Sequence, residues 1–146
     1  MNAWLGLIGN WVCAILTNKF VALSLGGALG TNARYLLGRW FNDLPWGRGL
    51  PLGTFVINVS GSFILGAAAV VILDRLPPDQ QAWYLLIGTG FCGGYTTFST
   101  FEWETFQLIR DGSFGFALLN VLGSVAMGFL GVAVAVGLVG LLFPKP

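Results

Sequence analysis

The sequence has no histidine and very few charged residues. Only 9% of its 146 residues are charged, whereas soluble domains carry roughly 25%. Histidine is the commonest general base and metal ligand in proteins and their usual pH switch, so its absence removes the most frequent route to acid–base catalysis. No pairing of a nucleophile with a base is recognisable either, and the sequence therefore disfavours an enzyme.

Basic residues and cysteines are also scarce. The net charge is +1 and the chain has no basic run, so nucleic acid is a poor candidate partner. The two cysteines, Cys13 and Cys92, lie in separate apolar stretches and lack the spacing of metal ligands. Both are therefore interpreted as small apolar side chains.

Apolar sequence is abundant, with 55% hydrophobic residues. A membrane-spanning helix needs about 20 predominantly apolar residues, and four stretches qualify. They run from about Phe20 to Phe41, from Pro51 to Leu73, from Ala82 to about Leu108, and from Phe114 to Phe143. The predicted fold is an all-α polytopic membrane protein with four transmembrane helices in one domain, residues 19–146.

The N-terminal segment, residues 1–18, has apolar residues at helical spacing but is too short to cross a bilayer comfortably. It is predicted to form an interfacial amphipathic segment. A signal peptide fits less well, because no basic stretch precedes the apolar residues and no small-residue cleavage site follows them.

Helix boundaries are marked in the linkers between the apolar stretches. Asp79, after the Pro77–Pro78 pair, is a predicted N-cap for the third helix. Gly112 is predicted to end the third span and Ser113 to cap the fourth.

The positive charges predict no fixed orientation. With four spans, three basic residues fall on each side, so the positive-inside rule has no bias to act on. The two groups are Lys19, Arg75 and Lys145, and Arg39, Arg48 and Arg110, while Arg34 lies inside the first span. A topology fixed by other features stays open. The sharper hypothesis is dual topology, with an antiparallel homodimer made from two oppositely inserted copies.

The third apolar stretch contains the segment GTGFCGGYTTFSTFEWETF, whose glycines and threonines are a poor sequence for an uninterrupted helix. A break is predicted near Gly93 to Thr96. Irregular backbone at membrane depth is tolerated only where protein or a water-filled path covers it. Carbonyls freed before the break would suit a cation, and the amides and positive dipole end of the second half-helix would face an anion.

Polar side chains occur inside the predicted spans, where they are costly. Thr54, Asn58 and Ser62 are four residues apart and form one polar line on the second span. The amide of Asn58 suits an anion or a partner carbonyl, and hydrogen bonding between helices is the alternative role. Arg34 is interpreted either as an interfacial anchor or as part of an anion vestibule.

Aromatic and hydroxyl side chains follow the predicted break. Phe98 and Phe101 share a helical face, and the hydroxyls of Thr97, Ser99 and Thr100 run beside them. An aromatic ring has a positive edge that can face an anion, although packing is the commoner role of such residues. The other polar residues of the last two spans include Glu102, Glu104, Asn120 and Ser124.

Three segments, GGALGTNARY, GTFVINVSGSF and GTGFCGGYTTFSTFEWE, resemble the hallmark motifs of the Fluc (CrcB) fluoride channels. The resemblance covers roughly Phe20 to the end of the chain. It implies a passive, fluoride-selective channel in the inner (plasma) membrane that exports fluoride from the cytoplasm and gives fluoride resistance. It also implies a dual-topology homodimer with two antiparallel pores, each lined by both subunits.

The resemblance implies roles for individual residues. Phe98 and Phe101 match the paired phenylalanines that contact fluoride, and Asn58 matches the asparagine that donates to it. A structural sodium ion at the dimer interface would be held by the carbonyls of Gly93 and Thr96 from both subunits. Ser99 and Thr100 match the family's line of hydroxyl groups along the pore, the hydroxyl track. Glu104 matches the acidic residue toward the end of this track, and Arg34 matches the first-span arginine.

Two features depart from the family pattern. The last span often bears a tyrosine near the pore, and this sequence has none there, so Asn120 is the candidate for that region. The apolar segment before Lys19 is extra relative to a minimal member.

Two other functions fit part of this sequence pattern. A small dual-topology drug/proton exporter also has four spans, but it needs a carboxylate in the middle of the membrane, and Glu102 and Glu104 lie near the end of a span. A non-transporting membrane scaffold would explain the glycines without using GGYTTFSTF.

Overall fold

The computed structural model describes residues 18–44 and 50–144, and every regular element within them is helical. The predicted interfacial segment lies outside the described residues except for Asn18. That residue caps the first helix, because its side-chain oxygen accepts from the amides of Phe20 and Val21 at 3.1 and 3.3 Å. Arg48 and Lys145, which entered the charge count, also lie outside the described residues.

Five helices follow one another along the described part of the chain. They are α1 (Lys19–Asn42), α2 (Leu52–Leu73), α3 (residues 82–95), α4 (Phe98–Arg110) and α5 (Phe114–Leu142). The last turn of α2, Ala69–Leu73, and the middle of α3, Leu85–Cys92, have π-helical hydrogen bonding, which often occurs near functional sites.

Two of these helices are long and apolar enough to cross a membrane, by length and composition. They are α2, with a mean hydropathy of 2.2, and α5, with 2.5. α1 has the length of a span but contains Lys19, Arg34 and Arg39. α3 and α4 are each shorter than the roughly 20 residues that a span needs.

Glycines allow the helices to approach each other closely. In α1, a Cβ at Gly26 or Gly30 would overlap the carbonyl oxygens of Leu86 and Phe91 in α3. In α2, a Cβ at Gly66 would lie 3.2 Å from the backbone of Val132 in α5. α3 therefore packs on α1, and α2 packs on α5.

The turn between α4 and α5 closes as predicted. Gly112 has a φ of +75°, and its amide donates to Ile109 while the Ser113 amide donates to Leu108. These two bonds form a Schellman motif, which needs the left-handed conformation that glycine adopts freely. Ser113 occupies the N-cap position of α5, although its side chain makes no capping hydrogen bond.

The predicted N-cap at Asp79 was wrong. Asp79 lies inside a 3₁₀ turn, Pro78–Gln80, and Gln81 occupies the position before α3. Pro77 and Pro78 have restricted φ, and the Gln80 amide donates to the Pro77 carbonyl at 2.9 Å, so the chain turns once before the helix starts.

Candidate functional site

The predicted break is confirmed and lies at Thr96 and Thr97, which separate α3 from α4. Thr96 has an extended backbone with ψ of 159°, and Thr97 has φ of −149° and ψ of 114°. Both the amide and the hydroxyl of Thr96 donate to the Cys92 carbonyl, at 2.9 and 2.8 Å. Thr97 is the N-cap of α4, because its hydroxyl oxygen accepts from the Thr100 amide at 3.2 Å.

Asn58 in α2 holds the backbone of the break. Its Nδ2 donates to the Thr97 carbonyl at 3.1 Å, and its Oδ1 accepts from the Thr97 amide at 2.8 Å. One side chain therefore satisfies both backbone groups of Thr97, which have no helical partner at the interruption. A primary amide carries two N–H donors, so the second Nδ2 hydrogen stays available for another acceptor.

Arg34 in α1 reaches the same break from a different helix. Its guanidinium donates to the Thr96 carbonyl at 3.3 Å. Side chains of α1 and α2 thus meet at the break between α3 and α4, since α1 supplies Arg34 and α2 supplies Asn58. The positive charge of Arg34 lies next to the N-terminus of α4, so both the guanidinium and the helix dipole favour an anion there.

One cavity, of about 520 Å³, lies beside the break and is called here the phenylalanine cavity. Asn58, Phe98 and Phe101 contribute to its wall. The two rings are 5.8 Å apart and inclined at 44°, and Phe101 is 7% exposed whereas Phe98 is 74% exposed. Its other polar or small lining residues are Gly61, Ser62, Tyr84, Gly88, Thr89, Cys92, Gly93, Thr96, Thr97 and Ser124.

A second cavity, of about 530 Å³, is called here the arginine cavity. Its charged and hydroxyl lining residues are Arg34, Tyr35, Arg39, Thr54, Thr97, Thr100 and Glu104. Thr97 lines both cavities. Along α2 the arginine cavity contacts Gly53 to Ile57 and the phenylalanine cavity contacts Asn58 to Leu65. Those residues rise about 18 Å along the helix axis.

Glu104 is partly buried in the wall of the arginine cavity. The Thr54 hydroxyl donates to Glu104 Oε1 at 2.9 Å. The other carboxylate oxygen, Oε2, is buried and makes no hydrogen bond with the described part of the chain. Thr54 and Asn58 belong to the polar line predicted on α2. Thr54 bonds Glu104, and Asn58 bonds the backbone of Thr97 at the break.

Two predicted pathway residues lie apart from these cavities. Ser99 is exposed and lines neither of them. Asn120 is buried in α5, where its Nδ2 donates to the Thr105 hydroxyl at 2.8 Å, and it also lines neither cavity. Thr100 lines the arginine cavity and accepts from the Thr97 hydroxyl at 2.9 Å.

Ser124 is the polar side chain of α5 that reaches the phenylalanine cavity. Its hydroxyl is buried and has no hydrogen-bond partner in the described residues. The sequence carried a signal for it, because Ser124 follows Asn120 by four residues and so lies on the same helical face. The two residues differ by about 6 Å along the axis of α5, which places Asn120 beside Thr105 and Ser124 beside the cavity.

The residues matched to a sodium site also lie at the break. Thr97 donates its amide to Asn58, so the Gly93 carbonyl does not receive the helical bond that Thr97 would otherwise give. Gly93 is exposed and a Cβ there would meet nothing within 4 Å. In the described part of the chain, no group of three or more Cys, Asp or Glu side chains could hold a metal ion.

Comparison with known proteins gives a consistent family match. The family model described as "CrcB-like protein, Camphor Resistance (CrcB)" matches residues 21–138. A protein named fluoride-specific ion channel FluC from Solibacter usitatus (strain Ellin6076) is 47% identical over 114 residues, which is 78% of this chain and 92% of the relative.

Two further relatives carry the same name. The FluC of Leptospira interrogans serogroup Icterohaemorrhagiae serovar copenhageni (strain Fiocruz L1-130) is 41% identical over 120 residues, 80% of this chain and 93% of the relative. The FluC of Acidobacterium capsulatum is 46% identical over 114 residues, 78% of this chain and 90% of the relative. The match to the family model extends over all five helices apart from the ends of α1 and α5.

Proposed function

Because this chain belongs to the CrcB family and is a fluoride channel, we propose that fluoride passes along the two cavities that share Thr97. The observation that carries the route is the hydrogen-bonded pair of Asn58 and Thr97. This pair stabilises the helix interruption at Thr97, the residue that lines both the arginine cavity and the phenylalanine cavity. An ion-channel family is not an enzyme class, and the chain is a membrane protein.

The pathway replaces the water around fluoride with donors from the protein. Fluoride is small and strongly hydrated, so each lost water must be exchanged for a hydrogen-bond donor or a positive edge. The second Nδ2 hydrogen of Asn58 is one such donor, and the hydroxyl of Thr100 is another. Phe98 and Phe101 supply ring edges, which carry partial positive charge.

The arginine cavity is the vestibule of this pathway. Arg34 and Arg39 give it positive charge, which raises the local concentration of anions. Arg34 also fixes the Thr96 carbonyl, and so stabilises the break that the ion must pass. Glu104 lies farther along α4 and sets the acidic end of the hydroxyl track.

Four spans and two oppositely inserted copies complete the channel. In this arrangement α1 and α3–α4 cross the bilayer together with α2 and α5. The equal division of basic residues supports dual topology. Many large apolar side chains of α5 are exposed in the single chain, Phe129 for example by 77%, and they would face lipid or the second copy. Each antiparallel homodimer would then contain two pores.

A structural sodium ion at the dimer interface is part of the proposal. The Gly93 carbonyl fits such an ion, because carbonyls at a helix break are suitable ligands for sodium and the Asn58–Thr97 pair leaves this carbonyl free. The Thr96 carbonyl accepts from the guanidinium of Arg34, whose positive charge would repel sodium, so Thr96 would join the site only with Arg34 turned away. When bound, sodium supplies a fixed positive charge and joins the two copies.

The physiological role is passive export across the inner (plasma) membrane. Fluoride accumulates in the cytoplasm when its weak acid enters the cell, and a passive channel lets it leave down its gradient. A drug/proton exporter would instead need a carboxylate that alternates between proton and substrate. Among the described residues of the two cavities, Glu104 is the one partly buried carboxylate and thus the candidate for that role. The names of the relatives favour a channel instead.

The test is fluoride efflux from liposomes that hold the purified protein, with chloride efflux as the control. Fast passive fluoride efflux, independent of an imposed proton gradient, is the expected result. A Phe98→Ile/Phe101→Ile variant should lose it while remaining folded and dimeric. No fluoride efflux from folded wild-type protein would contradict the channel, and efflux that needs a proton gradient would favour the exporter.

A further inference from the structure

A second hydrogen bond joins α2 to the break, through two residues that line neither the phenylalanine cavity nor the arginine cavity. Tyr95 is the last residue of α3, is 7% exposed, and has its hydroxyl 2.9 Å from Ser60 Oγ. Ser60 Oγ also lies 2.6 Å from the Val56 carbonyl oxygen and 3.2 Å from that of Ile57. A serine hydroxyl has one proton. Ser60 therefore donates to its own helix and accepts from Tyr95.

The surroundings of Tyr95 leave its hydroxyl few other partners. Its ring lines an apolar groove together with Leu36, Trp40 and Ile64. Phe91 stacks on the ring with centroids 5.4 Å apart and an interplanar angle of 16°. A hydroxyl in such an apolar environment is costly unless it is hydrogen-bonded, so Ser60 determines where it lies.

The two attachments hold the break on opposite sides of a glycine. Residues on an α-helix are about 100° apart around its axis, so Gly61 lies between Asn58 and Ser60 on the surface of α2. The break passes over it in the same order: Tyr95 bonds Ser60, Thr96 lies on Gly61, and Thr97 bonds Asn58. A Cβ at Gly61 would overlap Thr96 Cγ2.

We propose that Tyr95 and Ser60 are positioning residues of the fluoride pathway. Their hydrogen bond fixes how far the break is rotated about α2, and this rotation brings the Thr97 backbone to Asn58. Without it, Thr97 releases Asn58 part of the time, and the Asn58 amide loses its orientation toward the cavities. The link to transport rests on the proposed role of Asn58 in conducting fluoride, whereas the link to the Thr97 backbone does not.

Four variants of Tyr95 and Ser60, and one variant elsewhere in the chain, test the proposal. Tyr95→Phe and Ser60→Ala each remove one hydroxyl and leave the packing in place, and the double variant removes both. Ser60→Thr keeps the hydroxyl and is the conservative control. Ser113→Ala removes a hydroxyl that makes no capping hydrogen bond in the turn before α5, and serves as the unrelated control.

The first measurement is hydrogen exchange at the Thr97 amide, followed by NMR in the reconstituted full-length protein. We expect exchange to be about 3- to 10-fold faster in Tyr95→Phe and in Ser60→Ala, in line with the loss of one buried hydrogen bond. The double variant should lie within about twofold of either single variant, because both remove the same interaction. Ser60→Thr and Ser113→Ala should match wild type.

The second measurement is fluoride efflux and fluoride-over-chloride discrimination per reconstituted channel. Both should fall in Tyr95→Phe and Ser60→Ala and recover in Ser60→Thr. Unchanged exchange at Thr97, or faster exchange with unchanged efflux and discrimination, would overturn the proposal. Absence of fluoride efflux from wild type would instead overturn the channel function, and the exchange data would then decide alone whether the pair positions the break.

Discussion

The Thr54 hydroxyl donates to Glu104 Oε1 at 2.9 Å and so joins the first turn of α2 to the middle of α4. Glu104 Oε2 is buried, and nothing in the described part of the chain donates to it. Thr54 is thus the hydrogen-bond donor that orients this carboxylate in the arginine cavity. The orientation matters because the carboxylate lies in the wall of the proposed anion pathway, and its direction sets how close its negative charge comes to fluoride.

Thr54→Val is expected to slow fluoride efflux about 3- to 10-fold, because it replaces the hydroxyl with a methyl group of similar size and leaves Glu104 Oε1 without its donor. Thr54→Ser keeps the donor and should retain most of the activity. The measurement is efflux per reconstituted channel. Equal rates for Thr54→Val and wild type would mean that Glu104 is oriented by something else.

Asn58→Asp tests the hydrogen bonds that the Asn58 amide donates to the Thr97 carbonyl and, in the proposed pathway, to fluoride. An aspartate still accepts from the Thr97 amide, but it loses the donation to the Thr97 carbonyl and has no N–H for fluoride. We expect fluoride efflux to be abolished and stability to fall by about 1–3 kcal/mol, the cost of leaving a buried carbonyl unpaired. Thermal unfolding in detergent and efflux would measure both effects. Efflux close to that of wild type would remove Asn58 from the pathway.

Gly61→Ala should displace the break, because its Cβ would overlap Thr96 Cγ2 and lie 3.2 Å from the Tyr95 ring. The threonine is β-branched and its hydroxyl is bonded to Cys92, so it cannot rotate away without losing that bond. We expect a large loss of fluoride efflux. Thr96→Ser removes Cγ2 and keeps the hydroxyl, so the double variant should recover activity.

Gly115→Ala is the matched control for that experiment. Gly115 also lies in a helix, but a Cβ there meets nothing within 4 Å. The substitution should leave efflux unchanged and raise helix stability by up to about 1 kcal/mol. If Gly115→Ala were as damaging as Gly61→Ala, or if Thr96→Ser failed to rescue, the steric explanation would be wrong.

The location of the break shows what the sequence can and cannot predict. Glycine and threonine content was enough to predict an interruption near Gly93 to Thr96. Gly93 and Gly94 nevertheless remain helical, and the extended residues are Thr96 and Thr97. Local sequence favours an interruption over several residues, whereas the position is fixed by Asn58 and Arg34, which bond the Thr97 and Thr96 backbone from other helices.

Which residues of a helix reach a cavity depends on tertiary packing, and local sequence does not determine this packing. Hydropathy predicted the bounds of α1, α2 and α5 to within one or two residues, since those bounds depend on local composition. Spacing placed Asn120 and Ser124 on one face of α5 but could not tell which one reaches a cavity. Ser124 does, whereas Asn120, one turn earlier in α5, lies beside Thr105 and bonds its hydroxyl.

Arg34 and Arg39 should respond differently to salt. Arg39 is exposed in the arginine cavity and acts on anions through its charge, which salt screens over about 8 Å at physiological ionic strength. Arg39→Gln is therefore expected to reduce fluoride efflux at low salt and to approach wild type at high salt. Arg34→Gln also loses the bond to the Thr96 carbonyl, so its defect should persist. Parallel salt curves for the two variants would argue against a positional role for Arg34.

The final prediction concerns which residue of α5 contributes to conduction. Ser124 faces the phenylalanine cavity with a buried hydroxyl that has no partner in the described residues, so Ser124→Ala should slow fluoride efflux. Asn120 instead bonds Thr105, whose hydroxyl donates to the Phe101 carbonyl at 2.8 Å. Asn120→Ala should therefore lower thermal stability, by about 1 kcal/mol for the lost bond, and change efflux less than Ser124→Ala does. The opposite ranking in efflux would mean that Asn120 takes the place of the family's tyrosine in the pore, and that α5 is rotated in the conducting dimer relative to the single chain.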